Sequence, residues 1–231
     1  MSVPDPLLNP LDVNDLPCRY KEEYQDHTTR KNEIFHCPEK RIDGKEYCIF
    51  HETYSPKDET VILEMQNRLI TLINTAIENN EDLKFIGFSI PNLCIQKRRF
   101  PKNVYLNNAK FYRNVVINEN YFYNFSLNNS KFECEDINIS KNTFLRKVYV
   151  NDANFKGNRI HFLRNDFYGN ETNFNRTMFN AIQEIDFSNS NFFSQNVYFQ
   201  LTIFTSQQAI NFANCIFLGQ IYFQTRFFRN N

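Results

Sequence analysis

Between residues 83 and 231, apolar residues fall in pairs spaced i, i+5, and most pairs recur after ten to thirteen residues. The early pairs are mixed: Leu83–Phe88, Ile95–Phe100, Leu106–Phe111, Ile117–Phe122, Leu127–Phe132, Ile139–Phe144 and Val150–Phe155. The later ones are pure phenylalanine: Phe162–Phe167, Phe174–Phe179, Phe187–Phe192, Phe199–Phe204, Phe212–Phe217 and Phe223–Phe228. A helix places apolar residues at i+3 and i+4, and a half-buried strand places them at i+2. A spacing of five, bracketed by Asn, Asp and Ser, predicts short extended segments joined by tight corners. Asn suits such corners because it tolerates the left-handed conformation. Stacked corners also predict Asn above Asn in amide ladders.

A fixed period of this kind marks a stacked repeat. One pair per turn gives only two inward residues, too thin a core. Two pairs give about 24 residues, four faces and four inward side chains. At about 4.8 Å per coil, the run predicts six to seven coils in a rod about 30 Å long. Its interior is columns of stacked rings.

The segments Asn151-Asp152-Ala153-Asn154-Phe155, Asp186-Phe187-Ser188-Asn189-Ser190-Asn191-Phe192 and Asn211-Phe212-Ala213-Asn214-Cys215-Ile216-Phe217 resemble pentapeptide-repeat proteins. The resemblance implies a right-handed quadrilateral β-helix, with a small residue two before each central Leu or Phe. Ala109, Ser130, Ala153, Thr177, Ser190, Thr202 and Cys215 match that position, and Arg226 breaks it. Most gaps between pairs are six to eight residues rather than five, which places a bulge or loop at every second corner. Proteins of that family serve as scaffolds, interaction rods or DNA mimics.

Ahead of the repeat lies one helical pattern. Ser55-Pro56-Lys57-Asp58 offers a cap, a proline at the first helical position and an acid at the third. Ile62, Met65, Leu69, Ile73 and Ala76 then recur at helical spacing, and Asn79-Asn80 ends the run. A β-helix must cover its open end, so this helix is expected to cap the first coil; the alternative is an amphipathic helix for a partner. The chain thus divides into a Cys/His-rich module (1–54), a capping helix (55–82) and an all-β repeat of about six coils (83–231).

Composition fits a phenylalanine core: 25 Phe, 12 Tyr, no Trp and five Gly in 231 residues. Net charge is zero but uneven. Residues 1–82 carry 9 basic against 17 acidic side chains, and residues 83–231 carry 17 against 9. That asymmetry predicts two modules with different surfaces. The acidic rod that DNA mimicry needs is therefore not expected. The basic excess, with Lys97-Arg98-Arg99 as its densest patch, instead admits weak contact with phosphate backbones. No run approaches the roughly 18–20 apolar residues that span a bilayer. The amino terminus shows no basic-then-apolar leader. A cytoplasmic protein with reduced thiols is expected.

Three of six Cys and three of four His precede residue 52. Cys48-Ile49-Phe50-His51 brings two ligands onto one cation, and Cys18 and Cys37 complete a tetrahedral Cys₃His site for a structural Zn²⁺. Pro17, Pro38 and the Asp43-Gly44 turn fit ligands held on loops. His36 is the substitute ligand, His27 a solvated side chain, and three idle cysteines the plain alternative. His161 is expected to point outward, and Cys94, Cys134 and Cys215 to pack as small apolar residues. No catalytic grouping or phosphate loop is evident, so a non-enzyme is expected: a rod for an unidentified protein partner. A nucleic-acid binder is the second reading, and a hydrolase with an open metal position a distant third. Phe223, Phe227 and Phe228 leave the last coil open, which predicts end-to-end homodimerisation, with an incomplete chain as the alternative.

Overall fold

The computed structural model describes residues 16–52 and 58–229. Strands β1 (Lys21–Gln25) and β2 (Asn32–His36) form an antiparallel hairpin, and helix α1 (Glu59–Glu78) follows. Eighteen further strands, from β3 (Leu83–Lys84) to β20 (Gln220–Arg229), then wind into a parallel β-solenoid of about six coils. Each residue aligns with one 21 to 25 positions later, as in Ile90↔Phe111 and Phe192↔Phe217. Two pairs per coil is therefore the observed arrangement.

The second members of the pairs form two ring columns. One runs Phe111, Phe132, Phe155, Phe179, Phe204, with neighbouring centroids 4.3–5.0 Å apart. The other runs Phe100, Phe122, Phe144, Phe167, Phe192, Phe217 at 4.6–5.4 Å. Rings in adjoining columns meet edge to face, as Phe155 and Phe162 do at 85°. Parallel stacking along the rod and edge-to-face contact across it both satisfy the ring quadrupole.

The gaps between pairs are not empty corners. They hold two further inward columns: Leu93, Val115, Ile137, Ile160, Ile185, and Leu83, Val104, Phe125, Val148, Thr172, Val197. All of these are buried. Each sits two residues before the next pair, as Leu93 precedes Ile95, so an ordinary alternating strand leads into every corner. The coil thus buries more than the four side chains expected of it.

Two pairs also shift register. Phe85–Ile90, not Leu83–Phe88, opens the stack, because Ile90 aligns with Phe111 and Leu83 with Val104. At the other end Thr202 aligns with Thr225 and Phe204 with Phe227. Strand β20 lacks a counterpart of Leu201, so Thr225, not Arg226, takes the small position. Phe227, not Phe228, joins the column.

Corners recur in two columns of left-handed residues with φ between 54° and 59°. These are Asn108, Asn129, Asp152, Arg176, Leu201 and Lys97, Glu119, Lys141, Arg164, Asn189, Asn214. Asn holds only some of them. Several of the rest pair from coil to coil: Arg176 with Asp152 at 2.6 Å, and Glu119 with Lys97 and Lys141 at 4.0 and 3.8 Å.

The expected amide ladder lies inside the coil rather than on its corners. Asn120, Asn142 and Asn165 are buried in the small position of the second column. The Asn120 Nδ2 donates to Asn142 Oδ1 (3.1 Å), and the Asn142 Nδ2 to Asn165 Oδ1 (3.2 Å). Each Nδ2 also donates inward, to the carbonyls of Ile95, Ile117 and Ile139.

Helix α1 buries Ile62, Met65, Leu69, Ile73 and Ala76, the five residues its spacing marks, and packs against the strands of the first coil. Its N-cap is Asp58, whose carboxylate accepts from the Thr60 and Val61 amides. The cap expected at Ser55 and its Pro56 and Lys57 lie outside the described residues. Asn79 closes the helix, and Asn80 turns left-handed at φ 57°.

Candidate metal centre

The module ahead of α1 gathers Cys18, Cys37, Cys48 and His51, with all four ligand atoms within 4.8 Å of one another. Local structure explains the convergence. Alternation along β2 buries Phe35 and Cys37 and turns His36 out to solvent, which removes the substitute ligand. Cys18 is drawn beside that strand by its amide bond to the Glu39 carbonyl (2.7 Å). Beyond the Asp43-Gly44 turn, where Gly44 holds φ 71°, a tight turn closes between the His51 amide and the Cys48 carbonyl (3.0 Å).

The Sγ atoms of Cys37 and Cys48 lie 3.8 Å apart, and His51 Nδ1 lies 3.3 Å from Cys48 Sγ and 3.7 Å from Cys18 Sγ. Ligands about 2.0–2.3 Å from a tetrahedral Zn²⁺ would stand about 3.5–3.8 Å apart, so the donor set fits such an ion. The three cysteines are buried. The hydrogen bond with Cys37 pulls the Cys48 thiol down to about 4, against the effect of burial, and His51 adds to the pull. The same bond, with burial, pushes Cys37 up, and burial pushes Cys18 up. Among the three cysteines the thiolate is thus favoured at Cys48.

The centre sits directly on the first coil. His51 Nε2 faces the Ile86 carbonyl at 3.3 Å, the outer contact that leaves Nδ1 facing the three thiols. Tyr20 stacks on the His51 ring with centroids 3.7 Å apart. The Tyr20 hydroxyl fills the space a Cβ would need at Gly87, the corner residue of that coil at φ 71°. Phe88 occupies the position that holds Ala109, Ser130 or Ala153 in later coils. Its amide closes the corner on the Phe85 carbonyl (3.4 Å) as Ala109 does on Leu106, while its ring stacks on Phe50 (4.4 Å) and meets His51 edge-on (5.1 Å). Sequence patterning missed this docking set because each residue occurs once. The one available signal was Phe88 standing where the repeat asks for a small side chain.

Other expected residues separate. His27 is buried, not solvated: its ring lies between Tyr105 and Tyr149, 4.8 and 4.7 Å from them. His161 is half-buried, with Nε2 2.8 Å from Glu184. Cys134 is buried and Cys215 half-buried, as expected, but Cys94 is exposed. Lys97, Arg98 and Arg99 are exposed, with Lys97 on the Glu119 ladder and the Arg98 amide donating to Asn120 Oδ1. Phe223, Phe227 and Phe228 are about half exposed at the end of the rod, and strand β20 pairs with one neighbour only among the described residues. No described helix is long and apolar enough to cross a membrane.

Comparison with protein-family models, with curated proteins and with solved structures finds no match to this chain.

Proposed function

We propose that this protein is a non-catalytic interaction rod whose Cys₃His head holds one structural Zn²⁺, in a compartment that keeps thiols reduced. The observation that carries the reading is the His51 ring, with Nδ1 among three thiols and Nε2 on the Ile86 carbonyl of the first coil. Cys18, Cys37, Cys48 and His51 supply four protein ligands. That leaves no open position for water or substrate, which is the arrangement of structural rather than catalytic zinc. The ion would supply cross-linking between three separate segments of the head; the rod would supply repeated faces to a protein partner. Phe223 and Phe227, about half exposed while they continue the interior columns, support end-to-end pairing with a second copy.

Direct contact with nucleic acid is the second reading, supported by the exposed aligned Lys110 and Lys131. The charge ladders weigh against it, since Glu119, Asp136 and Asp152 partner cations along the rod. Metal analysis of purified protein tests the leading reading. One zinc per chain, lost in Cys48→Ser, is expected; no stoichiometric metal would overturn it. A salt-sensitive mobility shift with DNA or RNA would favour the second reading instead.

A further inference from the structure

The tyrosine column on one face of the rod has a gap. Residues Tyr105, Ser126 and Tyr149 align in register on successive coils, so a serine stands where its neighbours carry rings. Two coils span about 9.6 Å, which leaves between Tyr105 and Tyr149 a slot one ring thick. The tip of the β1–β2 hairpin fills it with His27, nearly parallel to both rings at 5° and 23°.

The rest of the tip is secured around that ring. The Tyr105 hydroxyl accepts from the His27 amide (3.0 Å) and donates to Asp26 Oδ2 (2.9 Å). Lys147 Nζ donates to the His27 carbonyl (3.0 Å), and Asn103 Nδ2 to Thr28 Oγ1 (3.3 Å). Yet among the described residues neither nitrogen of the buried His27 ring, nor the buried Ser126 hydroxyl, has a partner. A ring chosen only for stacking would be phenylalanine. An imidazole with two unanswered nitrogens stacks as well but accepts a proton it cannot solvate in place.

We propose that His27 is an acid-released latch: protonation of its ring withdraws the hairpin tip from the rod and opens the tyrosine-walled slot over Ser126. The charged groups around it do not reverse the sign. Asp26 on its own turn favours the imidazolium, whereas Lys147 from the rod opposes it. Arg30 and Glu171 face Lys147 and Tyr149. Burial dominates and holds the ring down to about 4. Docking is therefore fully favoured above the ordinary histidine value of about 6.5 and lost as pH falls from there toward 4. His27 touches none of the four metal-centre residues, so its titration is read with the head intact.

Amide exchange at the tip, residues 26–31, tests this in the full chain at pH 7.5 and 5.0, corrected for intrinsic rates. The docking equilibrium of the wild type should fall about 30-fold. His27→Phe, which keeps a flat ring without a titrating nitrogen, should change less than twofold, and Ser126→Tyr should leave the tip unprotected at both values. Equal loss in wild type and His27→Phe, or full protection of the wild type at pH 5.0, would overturn the latch. Should the larger ring fail to dock, NMR titration of His27 decides: a ring-current-shifted resonance with a midpoint well below 6.5 supports it, and an ordinary midpoint refutes it.

Discussion

The solenoid and the head solve the same problem in opposite ways. Many contacts in the solenoid recur from coil to coil: its ring columns run over five or six residues and its amide ladder over three. Among its described residues the head has a hairpin, the turns at Asp43-Gly44 and Cys48–His51, and a single four-residue cluster, each used once. Redundant stacking makes the rod tolerant of a weak link. The head has no second copy of anything, and a small module without a large core depends on a staple such as a metal.

The largest expected effect comes from removing the zinc proposed for Cys18, Cys37, Cys48 and His51. Cys48→Ser, or chelation of the wild type, should abolish ordered structure in residues 16–52 while the β signal of the rod in circular dichroism persists. Structural zinc contributes on the order of 10 kcal/mol or more to small modules. Loss of both regions together would show that the rod is not independent.

Breaking the rod in its middle is next. Asn142→Ala leaves Asn120 Nδ2, Asn165 Oδ1 and the Ile117 carbonyl without this partner. The buried Asn120 backbone amide also loses its acceptor, Asn142 Oδ1 (3.1 Å). That orphan costs about 1–3 kcal/mol and the three other lost bonds about 0.5–1.5 each, so about 3–5 kcal/mol is expected in urea unfolding. Phe155→Ala belongs to the same class, at about 3–5 kcal/mol. Phe227→Ala, at the half-exposed end of a column, should cost under about 1.5 kcal/mol. Equal costs at Phe155 and Phe227 would mean that the final coil is covered in solution, as a second copy seated there would do.

Much of this contrast was legible in the sequence, and the limits are instructive. Residues that recur were read correctly in kind: the period, two pairs per coil and stacked rings. Errors came where a repeat meets its ends. Phe88 looks like a pair member but stands in a small-residue position, and the missing counterpart of Leu201 displaced the last pair by one. The columns through Leu93 and Val104 run through the gaps between pairs, where a bulge or loop is expected at every second corner and where aliphatic residues stand out less than phenylalanine. In the head, the Cys-x-x-His spacing pairs Cys48 with His51, Cys18 and Cys37 are the other cysteines ahead of the helix, and the structure brings the four together. His27 was misjudged because its burial depends on Tyr105, Ser126 and Tyr149, which lie far along the chain and carry no local signal.

Smallest in expected effect is a gain. Leu201 holds a left-handed corner at φ 56° with its side chain exposed. Leu201→Asn should stabilise the rod by about 1 kcal/mol, because left-handed backbone costs a branched residue about that much. An unchanged or lowered urea midpoint would show that the Leu201 side chain contributes contacts beyond its backbone.

The central claim is that the metal centre and the first coil are one mechanical unit, joined through His51 and the Ile86 carbonyl. Amide exchange along the whole chain, with and without bound zinc, addresses it most directly. Zinc removal should expose the amides of Gly87 to Ser89 together with those of the head, while protection from Phe111 onward stays within twofold. Unchanged protection at Gly87 to Ser89 after verified zinc loss would contradict it.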